Sequence, residues 1–289
     1  ARVLEMGCAS GVSLVSFAKD LPGAHFSGFD LDPAEIALAR EFAAAAGVTN
    51  VRLEPGDIAT LDESWGPFDY ITAHGVLSWI PPVLRRRFFE ICRERLAPNG
   101  VVYVSFNAYP GCHLRDMMRN LLLFHTRDIT DTPEKVRQVQ AVLKFAARLD
   151  SQQPYGQLFQ AEAKTVLERQ PEQVLFDEVA PHADPFYLHQ VLELAAEFGF
   201  QYLSESDYGD MASYRLAPPV REMLASIPDW PTRMQYRDFF SGCRFHKLLL
   251  CRSDVKLAAD IRPDAIQEIF LSAPIQCDAA EVDLNRDEE

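Results

Sequence analysis

A chain of 289 residues, 48% of them apolar, can bury the core of one large α/β domain with additions or of two modest domains. A formal net charge of −14, from 42 acidic against 28 basic residues, and the lack of any basic stripe exclude a general binder of nucleic-acid phosphates. The six cysteines (Cys8, Cys92, Cys112, Cys243, Cys251 and Cys277) form no C-x-x-C pair, so no metal site or dithiol motif is indicated, and unpaired thiols point to a reducing cytoplasm.

Arg2 to Met6 reads as a short buried strand that stops at Gly7, and Val12 to Asp20 as a helix ended by Pro22-Gly23. Ala24 to Phe29 is a second strand, stopping at Asp30. Pro33, suited to a first helical turn, opens an alanine-rich helix that Gly47 closes. Val51 to Glu54 and Phe68 to Ala73 are strands three and four. Pro82 to Leu96 is helical, with Arg85, Arg86 and Arg87 in a solvated first turn, and Pro98-Asn99-Gly100 ends it. The β-branched and aromatic run Val101 to Phe106 is a fifth strand. Strands alternating with helices at this spacing predict a parallel, doubly wound sheet.

After residue 112 the pattern changes. His113 to Arg127, Thr132 to Leu149 and a segment around Phe159 to Arg169 read as helices, with a polar stretch at Ser151 to Gly156. Pro185 to Phe198 is a further helix, and strands return at Gln201 to Leu203 and His246 to Cys251, expected as neighbours completing the sheet. The expected division is a core at 1–112, a helical insertion at 113–184, a sheet-completing region at 185–253 and a tail at 254–289. The tail carries one helix-like piece and a frayed acidic end. No apolar run approaches the roughly 20 residues of a membrane span and none reads as a signal peptide, so no membrane partner is expected. The chain lacks a starting methionine and opens on a strand, which reads as a fragment without its natural amino terminus.

The sharpest motif is Val3-Leu4-Glu5-Met6-Gly7-Cys8-Ala9-Ser10-Gly11, a strand running through a glycine turn into a helix. Ligands of open α/β sheets bind at the carboxyl ends of strands, where such turns lie. Glu5 sits at the first strand's end. Asp30 ends the second, where a carboxylate suits a ribose diol. Asp57 follows the third, placed to accept from an adenine amino group, with Ile58 beside it to cover the ring. Three carboxylates around one cleft disfavour a pyrophosphate and favour a cationic nucleoside cofactor, and S-adenosylmethionine fits. The dinucleotide fingerprint G-x-G-x-x-G is absent, because Ala9 stands between Gly7 and Gly11.

In these residues the first 110 positions resemble class I S-adenosylmethionine-dependent methyltransferases, with Ala9 where a middle glycine is usual. Ala73-His74-Gly75-Val76-Leu77-Ser78-Trp79-Ile80-Pro81, Asn107-Ala108-Tyr109-Pro110-Gly111, Pro185-Phe186-Tyr187 and Gln235-Tyr236-Arg237-Asp238-Phe239-Phe240 extend the likeness to residues 2–252. They resemble the bacterial members carrying a methyltransferase regulatory domain, among them rickettsial protein lysine methyltransferases. Departures are Cys112 for a more usual tryptophan and His246-Lys247 for a more usual Arg-Gln. The resemblance implies a Rossmann-like, seven-stranded, mostly parallel sheet with a helical insertion. It implies S-adenosylmethionine as cofactor, contacted at Glu5, Gly7, Cys8, Ser10, Gly11, Asp30, Leu31, Asp57, Ile58 and Ala73.

Methyl transfer is an in-line displacement that asks the enzyme to align an unprotonated nucleophile, and no metal is required. The loops after strands four and five make His74, Trp79 and Tyr109 the catalytic candidates. His74 either accepts a proton and orients the acceptor or only shapes its loop. Trp79 and Tyr109 either flank a cationic amine or pack a lid. The acceptor implied by the resemblance is a protein lysine, with a small molecule or sugar as the alternative and an inactive cofactor-binding module as the rival of another class. The insertion reads as a lid or a homodimer surface, because Val136, Val139, Leu143 and Ala146 share one helix face.

Overall fold

The computed structural model describes residues 1–61, 64–180, 182–211 and 215–257. The first half alternates strand and helix: β1 (Arg2–Met6), α1 (Val12–Asp20), β2 (His25–Asp30), α2 (Pro33–Ala46), β3 (Val51–Pro55), a 3₁₀ turn (Ile58–Thr60), β4 (Phe68–Ala73), α3 (Pro82–Arg95) and β5 (Leu96–Asn107). Capping chemistry sets these bounds. Asp32 accepts from the Ala34 amide at 2.8 Å with Pro33 in the first turn of α2, and Gly47 ends that helix in the left-handed region.

Four helices follow without a strand: α4 (Cys112–Thr126), α5 (Thr132–Ala146), α6 (Pro154–Leu167) and α7 (Pro171–Val179). Then come α8 (Leu188–Glu197), β6 (Phe200–Glu205), the single turn α9 (Tyr208–Met211), α10 (Pro218–Ala225), α11 (Trp230–Ser241) and β7 (Phe245–Arg252). The sheet order is β3-β2-β1-β4-β5-β7-β6. β1 to β5 are parallel, and β7 runs antiparallel to both β5 and β6. This is the seven-stranded, Rossmann-like architecture, interrupted by a helical insertion between β5 and α8.

A parallel sheet needs cover on both faces. One core holds Leu4, Met6, Ile71, Phe88, Phe89, Val104 and Phe106, and a second holds Leu14, Val15, Ile36 and Ala39. The insertion has a core of its own, formed by Met118, Leu122, Val139, Leu143, Ala163, Val166 and Val174. Among the described residues no helix is long and apolar enough to cross a membrane.

Several bounds differ from expectation. β5 starts at Leu96 rather than Val101, because Leu96 already pairs with Phe68 ahead of the irregularity at Pro98-Asn99-Gly100. α8 starts at Leu188 rather than Pro185, because the Phe186 amide donates to the Asn107 carbonyl and holds the chain extended beside β5. α6 begins five residues early, with Pro154 in its first turn. The sequence reading missed α7, α9, α10 and α11. In α11 the signals were present: Asp229 accepts from the Thr232 amide, Pro231 sits in the first turn and Gly242 closes the end. From residue 258 the expected tail lies outside the described residues.

Candidate functional site

A cavity of about 880 Å³ opens at the carboxyl ends of β1, β2, β4 and β5. At one end it is lined by Gly7, Ala9, Asp30 and Leu31, and in the middle by His74, Gly75, Val76, Trp79 and Asn107. The far end belongs to Arg115 of α4, to Glu162, Thr165 and Val166 of α6 and Arg169 just after it, to Asp177 and Glu178 of α7, and to Arg244 and Phe245.

The first end is made of backbone. Gly7 and Gly11 both adopt left-handed conformations at φ 74° and 69°. A Cβ on Gly7 would lie 2.7 Å from a Val76 methyl, and one on Gly11 would lie 2.9 Å from the Ala39 Cβ. Ala9 also has a positive φ, 43°, at the position where the sequence departs from the glycine pattern. The turn is held by Asp30, whose carboxylate accepts from the Ala9 amide at 2.8 Å and from the Asp32 amide at 3.0 Å. Each oxygen keeps a second acceptor site. Asp57 caps the 3₁₀ turn through the Ala59 amide at 2.8 Å. Burial pushes the Glu5 carboxyl up to about 7. Burial, then the charges of Glu5 and Asp30, push the Cys8 thiol up to about 12, so Cys8 is inert packing.

At the middle, the Nδ1 of His74 lies 2.8 Å from the Tyr103 hydroxyl and 3.1 Å from the Ser105 hydroxyl, which itself accepts from the Gly75 amide at 2.7 Å. Loss of solvent, reinforced by Lys247, holds the His74 pKa below its usual value. The imidazole is therefore neutral at pH 7. Asn107 was not singled out from sequence. It is 8% exposed and its side-chain Nδ2 has no hydrogen-bond partner, although it lines the cavity. Its place at the end of β5 was the available signal.

The far end is built from ion pairs. Glu178 is fully buried, and the Arg115 Nε donates to both its oxygens at 3.0 Å while Arg169 donates at 2.8 Å. Arg169 also pairs with Asp177, and Arg244 with Glu162 at 2.5 Å. The Arg115 guanidinium sits 6.0 Å over the Trp79 ring, so the cation near that ring is part of the protein.

Of the expected cofactor residues, Gly7, Asp30 and Leu31 line the cavity, whereas Glu5, Cys8, Ser10, Gly11 and Asp57 stand around the turns behind it. Ile58 and Ala73 are core residues, 8% and 0% exposed, so Ile58 does not offer a free face there. Of the expected catalytic residues, His74 and Trp79 line the cavity and Tyr109 does not. The Tyr109 hydroxyl donates to Asp116 at 2.7 Å and its ring stacks on His113 at 4.1 Å, beside a separate pocket lined by Phe186 and Tyr187.

Residues 3–100 match the model of a methyltransferase domain, and residues 170–252 that of a predicted methyltransferase regulatory domain. An uncharacterized protein of Rickettsia prowazekii is 32% identical over 205 residues, 70% of the chain and 82% of that protein. Another from the same organism is 32% identical over 288 residues, 98% of the chain and 52% of that protein. PKMT2 from Rickettsia typhi, solved in complex with AdoHcy, is 32% identical with a TM-score of 0.82, covering 91% of the chain and 51% of PKMT2. The chain thus spans about half the length of the longer relatives it matches.

Proposed function

The chain belongs to the class I S-adenosylmethionine-dependent methyltransferases that carry a methyltransferase regulatory domain, and from that premise we propose that it methylates the amine of protein lysine. The observation that carries the proposal is a single cavity with a glycine turn and Asp30 at one end, His74 and Asn107 in the middle and carboxylates beyond. S-adenosylmethionine supplies a sulfonium methyl group to an unprotonated nucleophile.

Asp30 accepts from the ribose hydroxyls with the acceptor sites that its backbone bonds leave over. Asp57 accepts from the adenine amino group, and Glu5 supplies negative charge behind the turn. Leu31, 73% exposed, gives the nucleoside an apolar face. With Nδ1 engaged by Tyr103 and Ser105, His74 presents Nε2 to the acceptor. In the neutral tautomer whose Nδ1–H donates to these hydroxyls, Nε2 accepts a hydrogen bond from the amine and orients its lone pair. It does not strip a lysine ammonium, whose ordinary pKa of about 10.4 lies too far above its own. Asn107 forms part of the cavity wall beside His74. Trp79 is wall, braced by Arg115. Tyr109 packs beside the cavity.

A small anionic acceptor is the second reading, favoured by Arg115, Arg169 and Arg244 in the same cavity. We place the reaction in the cytoplasm, which suits the five unpaired cysteines of the described residues. Phe145 and Tyr155 stand 70% and 63% exposed on the insertion and support self-association through it, measured by light scattering. The test of function is mass spectrometry after incubation with methyl-deuterated S-adenosylmethionine, lysine-containing proteins and cell metabolites. Label on lysine side chains is the expected result. Label on metabolites alone supports the second reading, and no label anywhere makes the chain a cofactor-binding module.

A further inference from the structure

We infer that Asp238, Cys243 and His246 form a site for a divalent metal ion of the zinc class at the corner between α11 and β7. Asp238 lies in the last turn of α11, Gly242 ends that helix in the left-handed region, and the chain doubles back so that Cys243 and His246 return beside it. The carboxylate Oδ2 of Asp238 lies 2.9 Å from the His246 Nε2, the Cys243 Sγ lies 3.8 Å from the same nitrogen, and all three donor atoms fall within 4.8 Å of one another. Zinc–ligand bonds of about 2.0–2.3 Å in tetrahedral geometry place the donor atoms about 3.5 Å apart. Small side-chain adjustments therefore suffice.

Two further observations point to a ligand. The His246 Nδ1 lies 2.9 Å from the Glu205 carboxylate, whose other oxygen accepts from the Lys247 amide at 3.1 Å. A carboxylate behind Nδ1 is the arrangement that orients a metal-binding histidine and aims Nε2 at the ion. The second oxygen of Asp238 is buried without a partner, in a residue that is 0% exposed. Such a group is expensive to leave unpaired. Cys243 is only half-buried and gives the ion a way in. One thiolate, one imidazole and one carboxylate suit zinc better than magnesium or calcium.

The cation replaces the Nε2 proton of His246 and the thiol proton of Cys243, so two protons leave as one divalent ion enters. The site bears on the cavity, because the Cys243 carbonyl accepts from the Gly111 amide at 2.9 Å and the next two residues, Arg244 and Phe245, line the wall. Sequence spacing gave no warning, since one ligand is on a helix, one in a turn and one on a strand.

The test is titration of the metal-stripped chain with cobalt(II) alone. The expected result is a thiolate-to-cobalt charge-transfer band that saturates at one ion per chain and is displaced by zinc, with a higher Tm in zinc. Cys243→Ser should abolish the band with an unchanged circular dichroism spectrum. Glu205→Gln should weaken binding about 10–100-fold. His246→Arg, whose guanidinium can donate to both carboxylates, should fold without the ion. Absence of the band in the unaltered chain, or a band that survives Cys243→Ser, overturns the proposal. Should His246→Arg fail to fold, Cys243→Ser decides alone.

Discussion

At the Asp30 end of the cavity the wall is main chain: two left-handed glycines, a left-handed alanine and amides tied to one carboxylate, all anchored in the sheet. At the Glu178 end the wall is charged side chain: arginines from α4 and the end of α6 close on a carboxylate from α7, above a core that the insertion does not share with the sheet. The first end offers a fixed shape for one cofactor. The second gathers charges from separate helices. Under the proposed function, the cofactor and the acceptor answer to different parts of the sequence.

The largest expected effect falls at the second end. Glu178→Ala leaves Arg115 and Arg169 without their shared buried partner and should destabilise the insertion by about 3–5 kcal/mol. Hydrogen exchange should quicken in α4 to α7 while β1 to β5 stay protected, and S-adenosylmethionine affinity should hardly change. Equal loss of protection in the sheet would mean that the two ends are not separately built.

Asp30→Ala acts at the first end. It removes the brace of the turn and the proposed ribose acceptor, and should weaken S-adenosylmethionine binding by about 1.5–3 kcal/mol in calorimetry, leaving α4 to α7 untouched. An unchanged Kd would detach Asp30 from the cofactor.

Glu5 sharpens the contrast through pH. Its carboxyl ionises near 7 in the folded protein, above its ordinary value, so between about 4.5 and 7 the folded chain holds the extra proton. Stability of the free protein therefore falls as pH rises through that window. A cationic cofactor favours the ionised form, so its affinity should rise over the same window, by at most about tenfold per pH unit, and level off above 7. Glu5→Gln should flatten both trends, as thermal melts and calorimetry at several pH values would record.

The smallest effect is local. Ala9 holds φ 43°, and Ala9→Gly should relieve a left-handed strain of about 1–2 kcal/mol, offset by about 0.5–1 kcal/mol of added backbone freedom in the unfolded chain. A Tm higher by a few degrees is expected, and a lower one would show that the methyl group packs usefully.

The same contrast explains what was legible in the sequence. Glu5, Gly7, Gly11, Asp30 and Asp57 sit at fixed offsets from strand ends, so local pattern located the turns at the carboxyl end of the sheet, and Gly7 and Asp30 line the cavity. β6 was readable as an apolar run after a helix and a glycine, and β7 as an apolar run by itself. Glu162, Arg169, Asp177 and Glu178 look like ordinary solvated helix charges, because only tertiary packing turns them toward one cavity. Tyr109 was drawn to the site by its place after β5, and its bond to Asp116 shows why position in a loop does not fix direction. Asn107 went unread because an asparagine gains its meaning there from burial without a partner.

The measurement that bears most directly on the account is a crystal structure of the chain grown with S-adenosylhomocysteine. The account predicts the ribose hydroxyls on Asp30, the adenine near Leu31 and Asp57, and the sulfur directed toward His74 and the charged end of the cavity. A nucleoside bound elsewhere, or a sulfur turned away from His74, would contradict it.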